Sequence, residues 1–122
     1  MTDIATTIDT YLAAYNEPDA NTRLSLVTEA FAPEARLIDP PLDGSGHDGI
    51  SAMMGAVQQQ FPGHSLRRTT GVDEHHGYFR FGWDLVGPTG DLVLQGTDVG
   101  ELDGLGRLAR VTGFFGPLQE RD

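Results

Sequence analysis

Leu92-Val-Leu-Gln-Gly-Thr-Asp-Val-Gly-Glu-Leu102 carries the period of two that a strand imposes, which puts Leu92, Leu94, Gly96, Asp98, Gly100 and Leu102 on one face. The carboxyl of Asp98 therefore lies among apolar positions, where an acid is costly unless it is paired, hydrogen-bonded or kept neutral. The same period runs through residues 64–73, 76–87, 91–102 and 106–116, which predicts four strands. The connections Asp73-Glu-His-His-Gly77, Gly87-Pro-Thr-Gly-Asp91 and Asp103-Gly-Leu-Gly106 are short and rich in turn residues, so the strands should follow one another as an antiparallel meander.

Upstream of the meander the period changes to that of a helix. Ile4, Ile8, Tyr11, Leu12 and Tyr15 recur at helical spacing after Thr2 and Asp3, either of which suits an N-cap, and predict a helix over about 3–16. A second helical stretch carries Leu24, Val27 and Phe31 on one side and should stop before Pro33. Residues 35–39 read as a short strand that ends in a second acid on an apolar face, since Asp39 alternates with Leu37. The loop of residues 40–46 follows, and a third helix is expected from about Asp48, with Ile50, Met53, Met54, Val57 and Phe61 on one face. Helices first and a meander afterwards make an α+β chain, and its 122 residues suit a single domain with one core, residues 1–122.

Composition narrows the chemistry. Eighteen acidic residues against eight basic ones give a formal charge of −10, which opposes binding to a phosphate backbone, so no nucleic-acid partner is expected. No stretch approaches the ~20 apolar residues that cross a bilayer, and the start Met1-Thr-Asp-Ile-Ala5 lacks a basic segment followed by an apolar one, so a cytoplasmic location and no membrane partner are expected. Every basic residue is arginine, which removes lysine Schiff bases, and the absence of cysteine removes thiol nucleophiles and thiolate metal sites. His47, His64 and the His75-His76 pair have no partner at metal-ligand spacing, so no metal is expected. What remains is acid, base and hydrogen-bond chemistry.

The order helix, helix, short strand, helix and meander resembles the NTF2-like superfamily, and more narrowly its ketosteroid isomerase and SnoaL-like polyketide cyclase branches. The resemblance spans nearly the whole chain and rests on Phe31-Ala-Pro-Glu-Ala-Arg-Leu-Ile-Asp-Pro40, Gly46-His-Asp-Gly-Ile-Ser-Ala-Met53 and the terminal segment Thr97 to Phe115. It implies a strongly curved, mainly antiparallel sheet that wraps three N-terminal helices into a cone with a pocket. It also implies that Asp39 occupies the position of the family's proton-shuttling aspartate and Asp98 that of its oxyanion-hole aspartate. Tyr11 matches the family's tyrosine on the first helix, with Tyr15 as the competing candidate.

The division of labour this resemblance implies is that of ketosteroid isomerase: one carboxylate takes a proton next to a carbonyl, and a neutral carboxylic acid and a tyrosine donate to the oxygen. Asp39 would be the base, with Asp98 and Tyr11 on the oxygen side, and no cofactor would be needed. Tyr15, His47, Met54, Val57, Phe61 and Trp83 are the expected contacts to an apolar, cyclic small molecule. The alternative from another class is a domain that binds an apolar molecule without chemistry, in which either acid could be locked into backbone hydrogen bonds. A homodimer is expected through the outer face of the last strands, with Val93, Val99, Val111 and Phe115 as contributors.

Overall fold

The computed structural model describes residues 3–122. Its elements, in order, are α1 (Ile4–Asn16), α2 (Ala20–Ala30), β1 (Phe31–Asp39), β2 (Leu42–Ser45), α3 (Gly46–Gln60), β3 (Ser65–Arg68), β4 (Asp73–His75), β5 (Tyr78–Val86), β6 (Leu92–Leu102) and β7 (Leu108–Phe115). Three helices pack on a seven-stranded mixed sheet of order β2-β1-β7-β6-β5-β3, with β4 also paired to β5. All pairings are antiparallel except β1 with β7, which runs parallel and joins the early strand to the terminal meander. No described helix is long and apolar enough to cross a membrane.

Side-chain caps start the first two helices: Asp3 Oδ1 accepts from the Thr6 N–H at 2.8 Å, and Asp19 Oδ2 from the Thr22 N–H at 2.9 Å. Thr2, the other expected cap, lies outside the described residues. Arg23 is buried because its guanidinium donates to the carbonyls of Glu17 and Pro18 at 3.0 and 3.1 Å, tying α2 to the end of α1. The α2 helix ends one residue before Phe31, which the helical pattern had included; Phe31 opens β1 instead and is fully buried there. Pro33 lies inside that strand, in the stretch between Phe31 and Arg36 where the pairing to β7 breaks register, as expected of a residue with no N–H to donate.

The loop expected over 40–46 is half strand. Leu42–Ser45 pairs back on β1, and α3 begins at Gly46, two residues earlier than the pattern placed it. Glycine at position 44 permits this tight return, since a Cβ there would stand 2.9 Å from the Gly49 carbonyl oxygen of α3. The single strand expected over 64–73 is two, β3 and β4, because at the break the Thr70 hydroxyl takes the Gly82 N–H at 2.8 Å in place of a ladder carbonyl. The turn between β4 and β5 is His76-Gly77, both at positive φ, which is the two-residue hairpin geometry that matches strand twist.

On β5 the alternation holds as read: Phe79, Phe81, Trp83 and Leu85 are all buried on one face. Between β6 and β7 it does not, because the pairing shifts by one residue between Glu101 and Leu102. Without that irregularity Val99 would stand beside Val111; with it Gly100 does, and every β7 side chain exchanges faces. Val111 is consequently fully buried rather than on the outer face, and Phe115 turns toward the helices' side of the sheet. Of the four residues expected outside, only Val93 and Val99 are there.

Candidate active site

Asp39, Gly113 and Asp98 lie in one row across three adjacent strands. Ile38 pairs with Thr112, which brings the next residue, Asp39, level with Gly113, and Gly113 pairs with Asp98. The two acids are thus two strands apart, roughly 9–10 Å between strand axes, and their carboxyls lean toward each other over the bare glycine. A Cβ on Gly113 would collide with Asp39 Oδ1 and stand 3.0 Å from Asp98 Oδ1.

From α1, two tyrosines one turn apart reach down to this row, one to each acid. Tyr11 Oη donates to Asp98 Oδ2 at 2.7 Å, and Tyr15 Oη donates to Asp39 Oδ2 at 2.5 Å. Their i, i+4 spacing puts them on one helix face with ring centroids 5.6 Å apart. Trp83, from β5, completes the set by donating Nε1–H to Asp98 Oδ1 at 2.9 Å. Asp98 thus has a donor on each oxygen, whereas Asp39 Oδ1 is buried with no partner.

These groups line one cavity of about 250 Å³. Its wall is otherwise mainly apolar, with Leu12, Val57, Leu66, Leu85 and Leu94 inside and Phe61 and Phe115 half-exposed at its edge. Asp39, Asp98, Tyr11, Tyr15, Val57, Phe61 and Trp83 all contribute to it. Two residues expected there do not. His47 is turned away, its Nε2 lying 2.8 Å from the Phe31 carbonyl oxygen, which ties the start of α3 to β1. Met54 is fully buried in the core, because α3 packs inward as far as Met54 and reaches the cavity only with Val57 and beyond. Among the described residues no three His, Asp or Glu side chains are grouped as metal ligands.

The surroundings push the two acids in one direction to different extents. Burial raises the Asp39 carboxyl above the ordinary aspartate value, and the Tyr15 bond pulls it back. Burial, reinforced by the negative charge of Asp39, raises Asp98 to about 7, against the bonds from Tyr11 and Trp83. Two carboxyls facing one another resist ionising together, so below about pH 7 the pair retains a proton, with Asp98 its preferred seat. Both tyrosines are driven well above their ordinary value, first by burial and then by the adjacent carboxylates, and stay protonated donors.

The Asp98 shift has a consequence for stability. Between the ordinary 3.8 and about 7, the folded chain retains a proton at Asp98 that the unfolded chain has released, so this group's contribution falls as pH rises through that window and is level above it. Asp98→Asn removes the titration. Relative to wild type, the thermal midpoint of Asp98→Asn should therefore climb between pH 4 and pH 7, as measured by circular dichroism melts across that range. A constant difference would mean that Asp98 titrates normally.

Sequence reading found the acids and both tyrosines but not the clamp geometry. Trp83 was expected as pocket wall, not as a donor, and Gly113 was not singled out. The available signal was the hairpin: counting outward from the Asp103–Gly106 turn brings Val111 opposite Asp98, two residues short of the observed partner, Gly113, and on the same face.

The chain has 43% identity, over 96% of its length and 100% of the other chain, with a crystal structure from Agrobacterium tumefaciens str. C58 described as a "putative isomerase of the SnoaL-like family", at a TM-score of 0.89. A "SnoaL-like polyketide cyclase" from Jannaschia sp. CCS1, likewise named as putative, shares the fold at 16% identity and a TM-score of 0.68, over 94% of this chain and 89% of that one. An NTF2-like protein of unknown function from Exiguobacterium sp. 255-15 shares it at 16% identity and a TM-score of 0.71, over 92% and 99%. No protein-family model matches the chain, and no curated protein matches it.

Proposed function

The chain belongs to the SnoaL-like family, and we propose that it transfers a proton alpha to a carbonyl of a small apolar, cyclic substrate, as an isomerase or cyclase acting through its own side chains. The observation that carries this is the pair of carboxyls meeting over Gly113 in an apolar cavity, one with an unpartnered oxygen and the other raised to about 7. Separated acidities in neighbouring acids are what a base and a neutral donor require at one pH.

The Asp39 carboxylate, which lines the cavity and has a single hydrogen-bond donor, takes the α-proton. As the carbonyl oxygen gains charge it needs donors, and the Tyr11–Asp98 contact supplies one. With the shared proton on Asp98 Oδ2, that carboxyl donates to the Tyr11 oxygen across the same 2.7 Å, and the Tyr11 proton turns to the substrate oxygen. Trp83 holds the other Asp98 oxygen throughout. The apolar wall keeps water from competing for these bonds and makes each of them stronger.

The alternative, a domain that binds without reacting, is less well supported. Neither carboxyl is tied to a backbone N–H; the partners are tyrosine and tryptophan side chains, and one oxygen is left without any. The two readings part in heavy water. Wild-type protein should exchange the α-hydrogens of one- or two-ring ketones for deuterium, followed by proton NMR, and Tyr11→Phe should slow that exchange about 10²- to 10³-fold. Ketones that bind tightly in the cavity and never exchange would leave the binding reading in place of the enzymatic one.

A further inference from the structure

The residues after Asp39 deprive it of the partner an acid at a strand end ordinarily has. An aspartate entering a turn usually accepts from the backbone N–H two residues on, but positions 40 and 41 are both proline and offer none. Asp39 is left with one donor, the hydroxyl of Tyr15 at 2.5 Å on Oδ2. That hydroxyl has a single proton, and giving it to Asp39 leaves none for a substrate oxygen. Tyr15 is also held from behind: it is 4% exposed, and its carbonyl accepts from Gln58 Nε2 of α3 at 2.7 Å.

We propose that Tyr15 is a positioning residue for the base, its hydroxyl holding Oδ2 of Asp39 and so fixing the orientation and the acidity of the carboxyl that lies over Gly113. This rests on the reading of Asp39 as the base and replaces the expectation that Tyr15 contacts substrate. The two prolines and the tyrosine act together: positions 40 and 41 offer the carboxyl no N–H, and the hydroxyl holds it in their place. Burial favours the neutral form of Asp39, and the Tyr15 bond is the contribution that opposes it. Other ionisable groups facing Asp39 are Tyr11 from α1 and Asp98 from β6; Arg36 and Asp43, on the neighbouring strand positions, pair with each other on the exposed face at 2.7 Å.

The test is Tyr15→Phe, which keeps the ring and removes the hydroxyl. With aspartate labelled at its carboxyl carbon, and Asp39→Asn to assign the signal, the Asp39 midpoint in the free protein should move up by about one to two pH units, the worth of a hydrogen bond to a charged group. The acid limb of the α-exchange rate should move up with it, so that the variant loses rate at the acid end of the wild-type profile and regains it at higher pH. A uniform loss of rate with an unmoved limb, or an unmoved Asp39 midpoint, would overturn the assignment and leave Tyr15 a packing residue. Wild type gives a second reading that does not depend on the variant's folding: the Tyr15 hydroxyl proton should appear far downfield and shift as Asp39 titrates, and a pH-insensitive resonance there overturns the clamp. The NMR readings need no turnover. Absence of any exchange by wild type would therefore sink the enzymatic reading while the titration still decides whether Tyr15 governs Asp39.

Discussion

Asp39→Asn should slow α-exchange by about 10²- to 10⁴-fold, the range a positioned general base supplies, while ligands still bind. Asparagine keeps the shape of the side chain and still accepts the Tyr15 hydroxyl, so the apolar wall that holds a ligand is unaltered. What it lacks is the capacity to take a proton. The substitution has a second, independent signature. The charge of Asp39 is one of the two causes that raise Asp98, so the Asp98 midpoint should fall in the variant from its value of about 7, measured by carboxyl-carbon NMR. Turnover undiminished in Asp39→Asn would remove it as the base, and an unmoved Asp98 midpoint would show that the acids are not coupled.

Gly113→Ala is the change of fewest atoms with the largest geometric effect on the pair. The added methyl would occupy the place of Asp39 Oδ1 and crowd Asp98 Oδ1, and the glycine sits mid-strand with neighbours on both sides, so the backbone cannot move aside cheaply. The acids must separate. Exchange should fall about 10²-fold or more, as it does when a reacting group is misplaced by an ångström, and stability should drop by about 1–3 kcal/mol from overpacking in a urea titration. The Asp98 midpoint should move down as Asp39 is pushed away. Full activity in Gly113→Ala would mean that the close approach of the carboxyls has no part in the reaction.

The legible parts of the site were those fixed by local pattern. Asp98 betrayed itself by alternating with Leu94 and Gly96, and Asp39 by alternating with Leu37; both prove buried or lining a cavity. Trp83 was recognisable as inward-facing from Phe79, Phe81 and Leu85 on its own strand. His47 and Met54 misled for one reason: their segment was rightly read as a helix, but its rotation and start were not fixed by its own residues. Gly44 approaching Gly49 sets that start, and no helical period contains it. Val111 misled because a strand's face is legible only relative to its neighbour, and one extra residue near Glu101 reverses it.

By itself the sequence determined the α+β order, the two acids on apolar faces and the lack of lysine or cysteine chemistry, because periodicity and composition are local properties that each segment carries alone. Only the tertiary structure decided that Asp39 and Asp98 share one glycine between them, that Tyr11 serves the second acid and Tyr15 the first, and that Asp39 keeps an oxygen free. Those relations depend on the parallel pairing of β1 with β7 and on a single-residue shift between β6 and β7. They join residues up to 87 positions apart, and packing between distant segments, rather than the propensity of any one of them, sets which side chains meet.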